Sequence, residues 1–534
     1  MKPAGGSIPA REQLALALLS GILLAAPFLR PALSWLHFVA LVPWALLLAR
    51  PAVRRAWLYF LPGAYAFWIM VWGPFSLFSK ALPFALALLF VPFSLVFAVI
   101  LRAIYQRFRW PLALLLPVTW VAAEWLRIRL SIGAIGAYPL GSGQFAQTAL
   151  IQIADMSGVA GVSFVVAAVN GAIADLIVQR GRWSWRTLGG AAVVPVLLLA
   201  VLAYGLFREA HPVPVIAGPR VAVVQPNAIH YKDPSRAKAT FEEQLQFTRA
   251  EVAPGSADLI AWPENAISDV LTDDPAYLAE LAGLVREKRA RMIVGAHSWA
   301  SRLPPRQHTS AFYLAADGTL LGRYDKLYLI PWSEYVPFER WLPRLSAALA
   351  QALLGYVGRG LPGDDLALFS IDDGGPASPR TVRFAVPICF EASSADFARR
   401  AAGHGADFLL NITSEGVFGA PVYTHMWALA TLRAVENRVA IVRVGNNGIS
   451  GFIEPSGRTQ SVLRGKRTGR PFLEEGTLVD RVPVAERGGG TFYTHHGDWL
   501  AYLCVAGSLV LSGASFWARK RPSESSAAGR SSAP

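Results

Sequence analysis

The chain has 534 residues, of which 53% are hydrophobic and only 16% are charged. Soluble globular domains are about 45–50% apolar and about 25% charged, so this composition is typical of a membrane protein. The net charge of +14 does not indicate a nucleic-acid-binding protein, because residues 208–496 carry 31 Lys and Arg against 30 Asp and Glu. The excess of basic residues lies in the apolar segments before and after residues 208–496.

Eight apolar runs are close to the roughly 20 residues that an α-helix needs to cross a bilayer. They cover residues 14–29, 33–48, 56–78, 82–101, 111–126, 159–178, 191–207 and 500–517. The first run has no convincing cleavage pattern and others follow it closely, so we expect it to stay in the mature protein. We predict seven membrane helices in residues 1–207, an eighth in 498–518, and a disordered cytoplasmic tail at 522–534.

Positive charges in the short loops predict the orientation of these helices. With the N-terminus inside, fourteen Lys and Arg residues fall in cytoplasmic segments and four fall outside. Cytoplasmic loops of membrane proteins carry the excess of Lys and Arg. The bias therefore places both termini in the cytoplasm and the large segment at 218–490 on the outer face of the membrane.

This outer segment alternates short apolar runs with helical patterns. Runs at 221–225, 258–262, 291–296, 309–315, 382–388, 407–412 and 440–444 predict strands, and 241–252, 277–289, 393–402 and 423–437 predict helices. The pairs Asp317-Gly318 and Asn447-Gly448 predict turns. The alternation is typical of an α/β sandwich, in which catalytic residues are sought at the strand ends.

Three segments of this domain carry reactive side chains. Glu264 follows an apolar strand and is either a general base or an ordinary loop carboxylate. Lys326 interrupts an aromatic stretch and is either a paired structural charge or an oxyanion support. Cys389 lies between a strand and a helix, where its thiol is either activated or simply packed. A disulfide with Cys504, in the last apolar run, is not expected.

Taken together, these segments resemble the nitrilase (carbon–nitrogen hydrolase) superfamily. The motifs are Trp-Pro-Glu at 262–264, Tyr-x-Lys at 324–326 and Cys-Phe-Glu at 389–391, in that order, and further agreement comes from Asn-Ile-Thr-Ser at 411–414, Arg-Ala-Val-Glu-Asn at 433–437 and Asn-Asn-Gly at 446–448. The resemblance implies an αββα sandwich with a triad of Glu264 as base, Lys326 as oxyanion support and Cys389 as nucleophile. It also implies supporting roles for Glu334, Phe390 and Glu391.

The membrane helices narrow the resemblance to the apolipoprotein N-acyltransferase family, as does the Trp-Val-Ala-Ala-Glu-Trp-Leu-Arg motif at 120–127. That family implies an enzyme of the bacterial inner membrane with its catalytic domain in the periplasm. Its acyl donor would be a phospholipid and its acceptor the N-terminal amine of a diacylated apolipoprotein, with a thioester intermediate. No metal or organic cofactor is expected, and the scattered histidines form no metal-binding pattern.

Two departures from the family pattern concern substrate binding. The family often has Trp where this chain has Val417, and another Trp soon after the first Gln-x-Asn, where this chain has Tyr231. We therefore predict that both positions influence substrate binding. The apolar segment at 341–357, which begins with Trp341, is either an acyl-binding arm or lid at the membrane surface or a helix in the domain core.

Two other functions remain open. A membrane-anchored amidase or nitrilase that hydrolyses a small carbon–nitrogen substrate would use the same three residues, although eight helices exceed what a tether requires. A transporter with an outer sensor domain is disfavoured because charged residues are scarce inside the predicted spans.

Overall fold

The computed structural model describes residues 9–50, 56–77, 79–130, 138–178, 185–228, 236–331, 333–339, 341–354, 358–373, 380–415, 418–486 and 490–520. Tyr231, Val417 and the predicted tail at 522–534 lie outside the described residues. The described chain forms a helical bundle and an α/β domain.

Apolar helices form the first part of the chain. They are α1 (Ala10–Leu29), α2 (His37–Ala40), α3 (Val42–Ala49), α4 (Ala56–Trp72), α5 (Leu82–Phe108), α6 (Leu112–Leu130), α7 (Thr148–Ile151), α8 (Ala154–Val178) and α9 (Trp185–Ala210). In α8, Gly158 has non-helical backbone angles (φ 64°, ψ −174°) and kinks the helix near its start. Buried aromatic and aliphatic side chains hold α1 to α6 and α8 together.

Seven helical segments in the described residues are long and apolar enough to cross a membrane. The predicted span at 111–126 corresponds to α6 and is not among them, because it also carries Glu124, Arg127 and Arg129. The predicted count of eight spans is therefore approximate. The Glu124 carboxylate accepts hydrogen bonds from Trp120 Nε1 (2.8 Å) and the amide of Leu140 (2.5 Å), so α6 carries its acidic group inside the bundle.

Two six-stranded sheets form the core of the α/β domain, which confirms the predicted sandwich. The strands are β1 (Val215–Gln225), β2 (Leu259–Ala261), β3 (Arg291–Arg302), β4 (Pro305–Leu314), β5 (Leu320–Asp325), β6 (Leu368–Asp373), β7 (Arg380–Ala385), β8 (Phe408–Thr413), β9 (Ala440–Gly445), β10 (Gly451–Ile453), β11 (Thr459–Val462) and β12 (Gly476–Ala485). Their orders are β12-β1-β2-β3-β4-β5 and β11-β10-β9-β8-β7-β6. Within each sheet three central strands pair in parallel, namely β1, β2 and β3 in the first and β7, β8 and β9 in the second.

Helices cover the outer faces of the two sheets. They are α10 (Ala237–Glu251), α11 (Pro275–Lys288), α13 (Ala395–Gly403) and α14 (Ala420–Asn437). A further helix, α12 (Pro343–Leu354), lies between β5 and β6 in the chain, which returns to the bundle through α15 (Phe492–His496) and α16 (Trp499–Lys520). One core cluster lies between the sheets and extends to α13 and α14, and another lies under α10 and α11. Each predicted strand and helix coincides with an observed one, whereas β5, β6, β10, β11 and β12 were not predicted.

The domain rests on the bundle mainly through α14. Leu432 and Val435 of α14 pack in one apolar cluster with residues of α7, α8 and α9. Near the start of α14, the ring of His425 stacks on Tyr138, with 3.9 Å between the ring centres. The strand ends that carry the predicted catalytic residues are thus held close to the membrane helices.

Candidate active site

The structure brings the three predicted catalytic residues together. Glu264 follows β2, Lys326 follows β5 and Cys389 follows β7, so both sheets contribute to the site. The ammonium group of Lys326 lies 3.2 Å from Glu264 Oε1, and the thiol of Cys389 is close enough to both side chains for their charges to shift its pKa. The fold therefore forms one cluster from segments that are separated by more than sixty residues in each case.

Lys326 is completely buried between two carboxylates. Its Nζ donates to Glu334 Oε1 at 2.6 Å as well as to Glu264 at 3.2 Å. Burial alone would lower the pKa of Lys326, but the charges of Glu264 and Glu334 outweigh this effect and raise the pKa well above its ordinary value. Lys326 is therefore a permanent cation, as an oxyanion support requires.

Cys389 begins a 3-10 turn that ends at Ser393 and has a left-handed backbone (φ 55°). Residues other than glycine are uncommon in this region and cluster at functional sites. Burial and the charge of Glu264 raise the pKa of the Cys389 thiol above its ordinary value, and Lys326 compensates only in part. The resting thiol is therefore protonated, and a nucleophilic attack requires a base, for which Glu264 is within reach.

Glu391 joins the loop after Lys326 to the loop before Cys389. One carboxylate oxygen accepts hydrogen bonds from the amides of Leu327 (2.7 Å) and Tyr328 (3.0 Å) and from the Tyr324 hydroxyl (2.8 Å). The other oxygen accepts from the amide of Ile388 (2.8 Å). Burial raises the pKa of Glu391 to about 7, although these donors oppose the shift. The side chain thus organises the backbone of the site.

The other two residues with predicted supporting roles lie beside the triad. Glu334 binds Lys326 with one oxygen and accepts a hydrogen bond from the amide of Ile330 (2.7 Å) with the other. Phe390 directly follows Cys389 in the 3-10 turn, and its side chain lines a cavity that the domain shares with the bundle. These positions agree with the supporting roles, which stay predictions.

Several functional contacts were missed from the sequence. The amide of Ser414, after β8, donates to Glu264 Oε2 at 3.0 Å and orients this carboxylate. Asn411 donates to the carbonyl of Cys389 at 3.2 Å and accepts from Arg443 Nη1 at 2.9 Å. Arg443 is buried in β9 and also donates to Glu415 Oε1 at 2.6 Å. The sequence signal that could have indicated these contacts is an arginine inside an apolar strand, because a buried charge requires a partner.

Trp341 begins the segment that was predicted as an arm or a core helix. Its side chain is 75% exposed, and its ring packs on Phe338 with 6.2 Å between the ring centres. Leu342, which precedes α12, and Leu345 and Leu349 in α12 are also exposed. The core-helix alternative is therefore wrong, because these large apolar side chains face outward. A role of Trp341 in substrate binding stays a prediction.

The 3-10 turn at Cys389–Ser393 is called the catalytic turn below. A cavity of about 610 Å³ separates this turn from the membrane helices. This volume is within the range of about 300–1,000 Å³ that is usual for ligand sites. The domain side of its wall includes Leu327, Tyr328 and Phe390, which lie within two residues of Lys326 or Cys389 in the chain. The bundle side is formed by α6, α8 and α16, with Trp125, Ile128, Val159, Ala160 and Ala501 among its residues.

Two protein families match the chain, one in the helical bundle and the other in the α/β domain. Residues 20–172 match the apolipoprotein N-acyltransferase N-terminal domain family, and residues 220–471 match the carbon–nitrogen hydrolase family. An apolipoprotein N-acyltransferase of Geobacter metallireducens is 33% identical over 96% of this chain and 97% of its own length. One of Chlorobaculum tepidum is 28% identical over 93% of this chain and 95% of its own length.

Among solved structures, the chain is similar to an amidase from Nesterenkonia and to Saccharomyces cerevisiae Nit3, a member of the nitrilase superfamily. The first is 18% identical, with a TM-score of 0.37 over 50% of this chain and 91% of that one. The second is 16% identical, also with a TM-score of 0.37 over 50% of this chain and 91% of that one.

Proposed function

Because the chain belongs to the apolipoprotein N-acyltransferase family, we propose that it moves an acyl chain from a membrane phospholipid to the N-terminal amine of a diacylated apolipoprotein. We further propose that Cys389 carries the acyl chain between the two substrates. The observation that supports this mechanism is the position of the Cys389 thiol beside the buried ion pair of Glu264 and Lys326.

The first half-reaction forms a thioester. Glu264 takes the thiol proton, and the sulfur of Cys389 attacks the carbonyl carbon of a phospholipid ester. The negative charge that develops on the carbonyl oxygen is stabilised by the ammonium group of Lys326 and, by family resemblance, by the backbone amide of Phe390. When the carbon–oxygen ester bond breaks, the lysophospholipid leaves as an alcohol with the proton that Glu264 returns.

The second half-reaction forms an amide. The amine of the diacylglyceryl-cysteine attacks the thioester carbonyl, and Glu264 takes a proton from the nitrogen. The carbon–sulfur bond breaks, and the proton returns to the Cys389 thiol. Water must be kept from the thioester, or the enzyme becomes a phospholipase. The cavity between the catalytic turn and α6, α8 and α16 supports this requirement, because its bundle wall includes Val121, Ile128 and Ala501.

The test of this function is an acyl-transfer assay. Purified protein in detergent, given a phospholipid and a synthetic diacylated lipopeptide, should add the mass of one acyl chain to the lipopeptide. A lipopeptide with an acetylated N-terminus is the matched control and should gain nothing, because it has no free amine. Hydrolysis of small amides without any acylated lipopeptide would instead support the membrane-anchored amidase.

The proposed localisation is the inner membrane, with the α/β domain in the periplasm. In a variant without Cys389 and Cys504, single cysteines are introduced at Lys466, which is 84% exposed in the domain, and at Arg107, near the end of α5. In intact spheroplasts, an impermeant maleimide should label the cysteine at 466 and reach the cysteine at 107 only after permeabilisation, because the positive loops lie inside. The reverse pattern would contradict the topology.

A further inference from the structure

A buried ion pair on α14 lies between the catalytic turn and the membrane helix α8. Arg433 and Glu436 are one helical turn apart, 3% and 0% exposed, and 2.7 Å separates Arg433 Nη2 from Glu436 Oε1. Two charges removed from water need further hydrogen-bond partners to be stable. Arg433 has a second hydrogen-bond partner in the catalytic turn, and Glu436 has one in α8.

Arg433 binds the end of the catalytic turn. Its Nη1 donates to the carbonyl oxygen of Ser393 at 2.9 Å. Ser393 closes the 3-10 turn that begins with Cys389, and its hydroxyl donates to the carbonyl oxygen of Phe390 at 2.6 Å. The guanidinium group therefore restrains the far end of the turn that presents the nucleophile.

Glu436 binds the kink in α8. Its Oε1 accepts a hydrogen bond from the amide of Val159 at 2.8 Å. This amide directly follows Gly158, whose positive-φ conformation interrupts the helix. A β-carbon at Gly158 would come within 2.5 Å of the Tyr493 ring, so the kink is also packed tightly against the domain side.

We propose that Arg433 and Glu436 are positioning residues that fix the position of the catalytic turn relative to the kink of α8. This inference rests on the proposed function. The chain of contacts runs from the Val159 amide through Glu436 and Arg433 to Ser393. The cavity at the bundle junction is lined by Val159, Arg433, Ser393 and Phe390 together, so a displacement of α8 reaches the turn through this pair.

A second ion pair at the same interface provides a matched control. Arg438, at the end of α14, lies 2.6 Å from Asp155 of α8, and both side chains are mostly buried. Arg438 also donates to Gln152 at 2.7 Å and to the carbonyl of Pro455 at 3.3 Å. These partners lie in the bundle and in the turn after β10, away from the catalytic turn. Arg438 therefore joins α14 to α8 without contacting the turn that carries Cys389.

The experiment compares Arg433→Lys, Glu436→Gln and Arg438→Lys in the full-length protein. A lysine has one ammonium group and cannot reproduce the forked contact with Glu436 and Ser393. We expect Arg433→Lys and Glu436→Gln to lower kcat at least about tenfold with KM nearly unchanged, since a misplacement of about 1 Å can reduce the rate about 10²-fold. Arg438→Lys should lower the melting temperature but keep kcat within about twofold of the unmodified protein.

The rate of Cys389 alkylation by iodoacetamide provides a readout that does not depend on acyl transfer. It should change in Arg433→Lys and Glu436→Gln and stay unchanged in Arg438→Lys. If the unmodified protein acylates no lipopeptide, the proposed function fails, while the alkylation rates still test the positioning role. Unchanged kcat and alkylation in Arg433→Lys, or an equal loss of kcat in Arg438→Lys, would overturn the inference.

Discussion

The Cys389→Ala variant will carry no acyl group after incubation with phospholipid alone, whereas the unmodified protein will accumulate one acyl chain on Cys389. Without the acceptor amine, the second half-reaction cannot occur, and water is excluded from the thioester. Loss of a nucleophile in another enzyme reduces kcat by about 10⁶, so we expect no measurable transfer. The effect is the largest of the predicted ones because no other group can replace the sulfur.

Two further variants distinguish the thiol from its surroundings. Cys389→Ser should also be very poor, because a hydroxyl ionises less readily than a thiol and Glu264 is a weak base for it. Cys504→Ala is the matched control and should keep full activity. Cys504 is buried in α16 against residues of α6, including Val121 and Ala122, and shares no contact cluster with the triad.

The measurement is intact-protein mass spectrometry followed by peptide mapping. Treatment with neutral hydroxylamine should release the added acyl group, because it cleaves a thioester and leaves an amide intact. An adduct on Cys504 would contradict the mechanism. The same holds if lipopeptide acylation proceeds normally while Cys389 never carries an acyl group.

The Lys326→Met variant will lose acyl transfer and will also be markedly less stable. A single lost oxyanion donor reduces the rate about 10²–10³-fold in other enzymes. Methionine fills most of the lysine volume but leaves the buried carboxylate of Glu264 and the partly buried carboxylate of Glu334 without their cation. Removing one partner of a buried ion pair typically costs about 3–5 kcal/mol in the free energy of unfolding. Stability must therefore be measured beside activity.

The double variant Lys326→Met, Glu334→Gln separates the two effects. Neutralising Glu334 removes one of the unpaired charges, so the double variant should regain part of the lost stability. Its activity should stay absent, because the oxyanion support is still missing. Thermal unfolding in detergent and the lipopeptide assay are the two measurements. Substantial transfer by either variant would remove Lys326 from the mechanism.

Local sequence patterns predicted the α/β fold, which the structure confirms, and three candidate catalytic residues, which stay predictions. Glu264, Lys326 and Cys389 were chosen as candidates because each is a polar residue next to an apolar strand or aromatic stretch, in an order that resembles a known superfamily. The same patterns did not predict β5, β6, β10, β11 and β12. Most of these strands are short or lie toward the sheet edges, where polar and exposed residues weaken the apolar signal.

The sequence by itself determined the membrane character, the α/β domain and the choice of three candidate catalytic residues, because apolar runs and their flanking polar residues are local properties. Only the tertiary structure decided which groups surround those residues. Lys326 has two carboxylates, Glu264 is oriented by the amide of Ser414, and Glu436 meets the kink of α8. These partners are distant in sequence or are backbone amides, and no local pattern encodes them. They depend on packing two sheets and one membrane bundle around the same turn, which a linear pattern does not specify.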